Sequence, residues 1–264
     1  MRTLFLLLIA ILPVYLICLF VYKHDNDKES RKLLSKLFIF GIISCFPAVI
    51  LELLAESFFG SEDSMNYVTL FFSVFIGIAF IEEICKWFFV YKIAYNSNEF
   101  DHIYDAIVYC VFLGLGFAFF ENIFYILDGG LNIAFFRAVS AIPGHACFGV
   151  IMGNYLGLAK LSHFNNNYKL EKRNLILSIL IPTLLHGFYD FCLMTENFFF
   201  LLIFFGIMIF IYVYGIKTVK KVAKVSSKFF DNTELRIFKY CPKCGTKSVG
   251  RYCIKCSNDL SSNN

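Results

Sequence analysis

Ionisable side chains interrupt several long apolar stretches of this chain, and their chemistry is its most informative feature. They are Glu82, Glu83, Lys86, Asp105, Glu121, Arg137, His145, His186 and Asp190. Each charged group in the middle of a bilayer costs about 2.5–3.5 kcal/mol on insertion scales. If unpaired, the five charges most central to their stretches would cost about 12–18 kcal/mol, more than the net stability of a typical domain. They must therefore face one another or water, which makes them a candidate site.

The composition indicates that these stretches are membrane-spanning helices. Of 264 residues, 58% are apolar and 17% are charged, whereas soluble proteins carry about 25% charged residues. The high apolar content also excludes a disordered chain. A bilayer-crossing helix needs about 20 apolar residues, and seven stretches qualify. The predicted spans are Phe5–Tyr22, Leu34–Leu54, Val68–Tyr91, Ile103–Leu127, Leu131–Ala159, Leu175–Met194 and Phe198–Ile216.

The short loops between these spans alternate in basic charge, which predicts the orientation. The loops after spans one, three and five contain lysine or arginine, and so does the segment after span seven. The loops after spans two and six contain neither. Because cytoplasmic loops are enriched in basic residues, we expect an integral protein of the cytoplasmic membrane. Its N-terminus is predicted to lie outside and its C-terminal tail in the cytoplasm.

Several of the ionisable residues are predicted to lie at one depth in the membrane. With a rise of 1.5 Å per residue, two acids and two imidazoles fall near the middles of their spans, namely Glu82, Glu83, His145 and His186. The acids Glu121 and Asp190 fall about 8 Å nearer the outer surface by the same measure. The depths therefore predict a single polar cluster inside the helix bundle.

Local spacing predicts which of these groups pair. Glu82 and Lys86 are separated by four residues, which suits an ion pair on one helix face. His186 and Asp190 have the same spacing, so the carboxylate can fix the orientation of the imidazole. Glu83 points about 100° away from Glu82 and is predicted to look into the cavity alone.

Other polar or helix-breaking residues are assigned structural roles. Pro143, followed by glycine, is expected to kink span five beside His145. Three charged residues near span ends are predicted to be interfacial, namely Glu52, Asp105 and Arg137. Two roles stay open for Glu121: it supports catalysis, or it is a partner of Asn122 or Lys86.

The C-terminal tail contains two CxxC pairs, with the cysteines at Cys241, Cys244, Cys253 and Cys256. Two such pairs eight residues apart suit a tetrahedral structural zinc ion; redox-active or idle pairs are the alternative. The predicted domains are a membrane domain (1–216), a basic juxtamembrane linker (217–238) and a zinc ribbon (239–264). The fold class is thus an all-α polytopic membrane protein with a small cytoplasmic zinc ribbon. A cytosolic protein partner for the ribbon stays open, and nucleic acid is not expected.

The order of the membrane motifs resembles that of the PrsW-type intramembrane proteases, which are related to the CAAX prenyl endopeptidases. The motifs are E82-E83-x-x-K86, F117-x-x-x-E121, G144-H145 and H186-x-x-x-D190. The resemblance covers roughly Leu34 to Asp190, and its most specific run is FDHIYDAIVYCVFLGLGFAFFEN at 100–122. Glu121 stands where the CAAX enzymes carry a histidine, so their division of roles does not transfer directly.

The resemblance implies an endopeptidase that cuts a membrane-embedded protein substrate. In PrsW-type members that role is inferred to be site-1 cleavage of an anti-sigma factor in stress signalling. Peptide hydrolysis needs a base for water, stabilisation of the oxyanion and a proton for the leaving amine. The predicted catalytic set is Glu82, Glu83, Lys86, Glu121, His145, His186 and Asp190. Either Glu83 or Glu82 is the base, and the imidazoles take the other two roles.

Three alternatives follow from the same residues. The two histidines and a glutamate can also supply three metal ligands and leave a position for water. We expect no catalytic metal, because Lys86 beside the acid pair competes with a divalent cation. Midplane acids and histidines also suit a proton- or cation-coupled transporter. The third alternative is a non-catalytic scaffold or immunity protein that presents its zinc ribbon to a partner.

Overall fold

Eight α-helices make up most of the computed structural model, which describes residues 2–60, 66–225, 238–249, 253, 255–258 and 260. The helices are α1 (Arg2–His24), α2 (Arg31–Phe59), α3 (Tyr67–Phe72), α4 (Ile81–Val90), α5 (Ile103–Val139), α6 (Ala141–Phe164), α7 (Tyr168–Met194) and α8 (Phe198–Val225). Six helical units in the described residues are long and apolar enough to cross a membrane, and Ile9–His24 within α1 is a shorter apolar helix. The predicted all-α polytopic fold is therefore confirmed.

Helix α5 forms the centre of the bundle because its neighbours cover most of its surface. Tyr104, Ile107, Tyr109 and Leu113 are fully or almost fully buried. Small residues allow the backbones to approach closely: a Cβ atom on Gly116 would lie 2.1 Å from the carbonyl oxygen of Phe38 in α2. Close packing of this kind is typical of helix pairs in membranes. It brings α2 and α6 against α5, the helix that carries Glu121.

Two π-helical segments flank α4 and make it continuous with its neighbours. Ser73–Phe80 connects α3 to α4, and Tyr91–Tyr95 follows α4. Together these units span Tyr67–Tyr95 as one membrane-crossing rod. π-Helical turns are rare and occur frequently at functional sites. Here the first segment ends at Phe80, two residues before Glu82.

The break beside His145 lies at a different residue from the one predicted. Pro143 falls in the first turn of α6, where a missing backbone N–H costs nothing, so the predicted kink at Pro143 is wrong. The chain instead bends at Gly130, which has a φ of 71° inside α5, and again at Ser140, between α5 and α6. Glycine tolerates that positive φ because it has no Cβ. The bend at Gly130 separates Ile103–Ile126 from Gly129–Phe164, two apolar units that are each long enough to cross a membrane, so the predicted boundary between spans four and five is confirmed.

The C-terminal part combines a long helix with a small hairpin. Helix α8 continues to Val225, past the predicted end of span seven at Ile216. Strands β1 (Phe238–Tyr240) and β2 (Lys247–Val249) pair antiparallel, with Lys239 opposite Ser248. The predicted linker is thus helical up to Val225, and its residues 226–237 lie outside the described part of the chain.

Candidate active site

Lys86 lies at the centre of a buried polar cluster contributed by α4, α6 and α7. Its Nζ atom is 2.8 Å from Glu82 Oε2, 2.9 Å from Glu83 Oε1 and 3.1 Å from His145 Nδ1. All four side chains are buried. The predicted Glu82–Lys86 pair is confirmed. The prediction that Glu83 stands alone is wrong, because residues three apart on a helix are also neighbours.

His186 bridges the acid pair and the end of α7. Its Nδ1 lies 3.0 Å from Glu83 Oε1, and its Nε2 lies 3.1 Å from Asp190 Oδ2 and 4.0 Å from Glu82 Oε2. Ionised carboxylates only accept hydrogen bonds, so the ring donates to both partners only as an imidazolium. The Phe148 ring stacks on it with a centroid distance of 4.8 Å. The predicted orientation of His186 by Asp190 is confirmed.

His145 connects Lys86 to a second group of charges on α5. An ammonium group only donates, so Nδ1 of His145 accepts from Lys86, and Nε2–H donates to Glu121 Oε2 at 3.0 Å. Glu121 Oε1 in turn accepts from Arg137 at 2.7 Å. The partners of Glu121 are therefore Arg137 and His145, rather than Asn122 or Lys86. His145 is held as the neutral Nε2–H tautomer.

Arg137, which the sequence predicted to be interfacial, belongs to this network. Its guanidinium donates to Asn122 as well as to Glu121, and it lies 3.7 Å from the ring centroid of Tyr125. The bend at Gly130 returns Arg137 towards the part of α5 that carries Glu121. The sequence signal was available: Arg137 is a cation in an apolar stretch, and the predicted orientation puts it on the same side of the membrane as Glu121, an acid without an assigned partner.

A cavity of about 450 Å³ lies between α2, the first π-helical segment and α5. Glu82 and Glu121 line it, and Glu83 is not among its lining residues. The remaining wall is largely apolar, with side chains such as Leu53 and Phe120. Glu52, predicted to be interfacial, also lines the cavity. The structure therefore separates the acid pair: Glu82 is accessible from the cavity, and Glu83 is enclosed behind it.

The same cluster contains four potential metal ligands. One donor atom from each of Glu82, Glu83, His145 and His186 lies within 4.8 Å of the others. Carboxylate and imidazole donors suit zinc and other divalent ions. Lys86, however, donates to three of the four groups, so its ammonium takes the place of the cation. The donor types fit a metal, but the arrangement fits one only after Lys86 has moved away.

The four tail cysteines form a separate cluster. Cys241 Sγ lies 3.5 Å from Cys256 Sγ, and Cys244 Sγ lies 3.4 Å from Cys253 Sγ; these thiols form no disulfides. Tetrahedral zinc with Zn–S bonds of about 2.3 Å separates its sulfurs by about 3.8 Å. Hydrogen bonding to Thr246 lowers the pKa of the Cys244 thiol to about 6, which favours the thiolate that binds metal. The cluster can therefore hold a metal ion.

The sequence of the chain matches a known protein family and several of its members. Residues 29–216 match the model of the PrsW family intramembrane metalloproteases. Protease PrsW of Oceanobacillus iheyensis is 41% identical over 184 residues, which cover 70% of this chain and 80% of the relative. Protease PrsW of Bacillus subtilis is 35% identical over 214 residues, or 81% of this chain and 93% of the relative.

A further relative, Protease PrsW of Clostridioides difficile, is 35% identical over 195 residues, covering 72% of this chain and 80% of the relative. No solved structure matches the chain. The family match contains every residue of the membrane cluster, from Glu82 to Asp190, and excludes the cysteine cluster of the tail. The chain is thus an integral membrane peptidase, and it belongs to the PrsW family of intramembrane proteases.

Proposed function

We propose that this intramembrane protease hydrolyses its substrate with Glu82 as the general base and without a catalytic metal. The observation that carries this assignment is that Glu82, but not Glu83, lines the cavity. A base must reach the water that it deprotonates. Glu83 accepts hydrogen bonds from both Lys86 and His186, and this position suits a residue that holds the two cations in place.

The proposed reaction uses the side chains that surround Glu82. Glu82 takes a proton from a water molecule in the cavity, and the resulting hydroxide attacks the carbonyl carbon of the scissile peptide bond. His186 lies 4.0 Å from Glu82. Because both of its N–H groups already donate to Glu83 and Asp190, its imidazolium stabilises the oxyanion through its positive charge. Protonated Glu82 then passes its proton to the leaving amine as the C–N bond breaks. The products are a carboxylic acid and an amine, and Glu82 is regenerated.

The Lys86 ammonium takes the electrostatic role that a metal ion would otherwise have. It compensates both carboxylates of the acid pair at distances below 3 Å. Buried charges of one sign are stable only when paired. On α5, Arg137 fixes Glu121 and thereby the tautomer of His145. Lys86 and Arg137 are positioning residues in this scheme, because neither side chain is placed to touch the reacting atoms.

The cavity also suits the substrate expected for this family, a protein segment embedded in the membrane. Its wall combines apolar side chains of α2, the first π-helical segment and α5 with four acids, Glu52, Glu56, Glu82 and Glu121. An unwound apolar segment can enter there and reach Glu82. We propose an anti-sigma factor as the substrate, and the orientation with the N-terminus outside and the tail in the cytoplasm. The proposed domains remain 1–216, 217–238 and 239–264, with zinc in the last.

The decisive test separates the glutamate mechanism from a metal mechanism. A reporter with one transmembrane segment is incubated in proteoliposomes with the full chain, with and without 1,10-phenanthroline. We expect cleavage to survive the chelator and to be lost in Glu82→Gln. The Cys244→Ser variant is the matched control, since it removes the tail as a source of chelator sensitivity. Loss of cleavage on chelation in both proteins, restored by added zinc, would refute the mechanism.

A further inference from the structure

The cations and imidazoles of the catalytic cluster have no N–H group left for the negative oxygen that forms during peptide hydrolysis. An ammonium has three N–H groups, and those of Lys86 donate to two glutamates and to His145. Both N–H groups of the His186 imidazolium donate to carboxylates. The single N–H of neutral His145 donates to Glu121. These three side chains therefore supply positive charge, but none of them supplies a free hydrogen-bond donor.

Tyr125 brings a hydroxyl group to the same cavity. Its side chain lines the cavity together with Glu82 and Glu121, and it is 48% exposed. Among the residues that the structure describes, none forms a hydrogen bond with this hydroxyl. A phenol is a neutral donor at physiological pH, so it needs no counter-ion in an apolar wall. The hydroxyl of Tyr125 is therefore available to a reacting group in the cavity.

Helix geometry directs the Tyr125 side chain back towards the catalytic cluster. Tyr125 follows Glu121 by four residues, so the two share a face of α5 and lie about 6 Å apart along its axis. Side chains on a helix lean towards its N-terminus, which for Tyr125 is the direction of Glu121. Arg137 lies 3.7 Å from the centroid of the Tyr125 ring and donates to Glu121 at 2.7 Å. One guanidinium thus holds both the ring and the acid at the cavity.

Two other side chains of the described cavity wall carry a donor, and both are less suitable. The Cys45 thiol donates to the backbone carbonyls of Gly41 and Phe117. Ser73 begins the first π-helical segment, nine residues before Glu82 and so about two helical turns away from it. Its short side chain cannot span that distance. The geometry therefore favours Tyr125 as the neutral donor for the reaction.

We infer that Tyr125 is a further catalytic residue, whose phenol donates a hydrogen bond to the oxyanion of the tetrahedral intermediate. The phenol keeps its proton, and the hydrogen bond is released when the oxyanion becomes a carbonyl again and the amine leaves. It acts together with the positive charge of His186. The inference rests on the proposed function in that the substrate is hydrolysed through a tetrahedral intermediate. It holds whether Glu82 or a metal ion activates the water.

Tyr125→Phe tests the inference, because it removes the hydroxyl and keeps the ring that Arg137 contacts. The full chain in proteoliposomes cleaves a reporter with one transmembrane segment, and kcat and KM are measured separately. We expect kcat to fall about 10²–10³-fold, as it does when an oxyanion donor is removed. KM and the thermal midpoint should not change, because the lost hydrogen bond forms only as the oxyanion develops.

The matched control is Tyr214→Phe, which removes a hydroxyl from a tyrosine of α8 that is 40% exposed and lies outside the cavity wall. It should cleave the reporter as the wild type does. The inference is overturned if Tyr125→Phe keeps the kcat of the wild type, if its loss lies in KM alone, or if Tyr214→Phe loses as much.

Parallel measurements with Glu82→Gln and with 1,10-phenanthroline separate this inference from the proposed mechanism. Full activity in Tyr125→Phe beside an inactive Glu82→Gln would refute the role of Tyr125 and leave the mechanism standing. A lower kcat in Tyr125→Phe, in a protein that the chelator inactivates and zinc restores, would support Tyr125 and refute the metal-free mechanism.

Discussion

The two acids of the E82-E83 pair should respond differently to the same substitution. In the proposed mechanism Glu82 faces the cavity and acts on water, whereas Glu83 holds Lys86 and His186 from behind. Changing either residue to glutamine keeps the side-chain shape and one acceptor oxygen while it removes the charge. Glu82→Gln is therefore predicted to affect chiefly the reaction rate, and Glu83→Gln chiefly the stability.

The contacts give the magnitudes. Oε1 of Glu83 accepts two charge-assisted hydrogen bonds, at 2.9 Å from Lys86 and 3.0 Å from His186. Loss of the charge lowers each from about 1.5–3 to about 0.5–1.5 kcal/mol, so Glu83→Gln should destabilise the fold by about 2–3 kcal/mol. Glu82 accepts one such bond, at 2.8 Å, which gives about 1 kcal/mol for Glu82→Gln. Removal of a general base lowers the rate about 10²–10⁴-fold.

The assay combines reporter cleavage in proteoliposomes with thermal unfolding of the purified proteins. For a chain of this size, 1 kcal/mol shifts the midpoint by about 2–4 °C, so Glu83→Gln should melt about 4–12 °C below the wild type. Its cleavage rate should fall about 10–100-fold, through misplacement of the cations. Glu196→Gln is the control, because this acid is exposed and should change neither quantity.

One pattern would refute the assignment. If folded Glu83→Gln loses more activity than Glu82→Gln, and Glu82→Gln melts at the lower temperature, the base is Glu83 and the roles are reversed. Equal, full activity in both variants would remove the acid pair from the mechanism altogether.

Three further predictions concern positioning, packing and the tail. Arg137→Ala should lower the cleavage rate at least about tenfold and shift its pH profile, because Glu121 loses its 2.7 Å partner. Arg137→Lys keeps the positive charge, so it should recover part of the lost rate and shift the pH profile less than Arg137→Ala does. Gly116→Val should destabilise the fold by about 1–3 kcal/mol, since a Cβ there meets the carbonyl oxygen of Phe38 at 2.1 Å; unfolding measurements check this. Cys244→Ser should reduce bound zinc from about one per chain to none by elemental analysis, while reporter cleavage continues.

Each of these has an outcome that contradicts it. Unchanged kinetics in Arg137→Ala would make the guanidinium purely structural. A Gly116→Val protein as stable as the wild type would mean that α2 and α5 separate freely. Loss of cleavage in folded Cys244→Ser would show that the tail takes part in catalysis.

Much of the local arrangement was predictable because helix geometry fixes it. The periodicity of the chain predicts that residues four apart share a face, and Glu82–Lys86 and His186–Asp190 are paired as expected. Hydropathy and length likewise predicted the membrane-spanning fold. The prediction that Glu83 stands alone failed for a reason that also lies in helix geometry. Side chains three residues apart are neighbours on a helix, so Lys86 contacts Glu83 as well as Glu82.

The chain's residue types thus determined, by themselves, that it spans a membrane, that it buries acids and imidazoles at one depth, and that its tail presents four thiols. Tertiary structure alone decided which groups meet across helices. Glu83 and His186 lie 103 residues apart, and Arg137 reaches Glu121 only through the bend at Gly130. Helix packing and rotation also decided that Glu82 faces the cavity and Glu83 does not. Sequence spacing describes angles within one helix, whereas the orientation of that helix depends on every neighbour against which it packs.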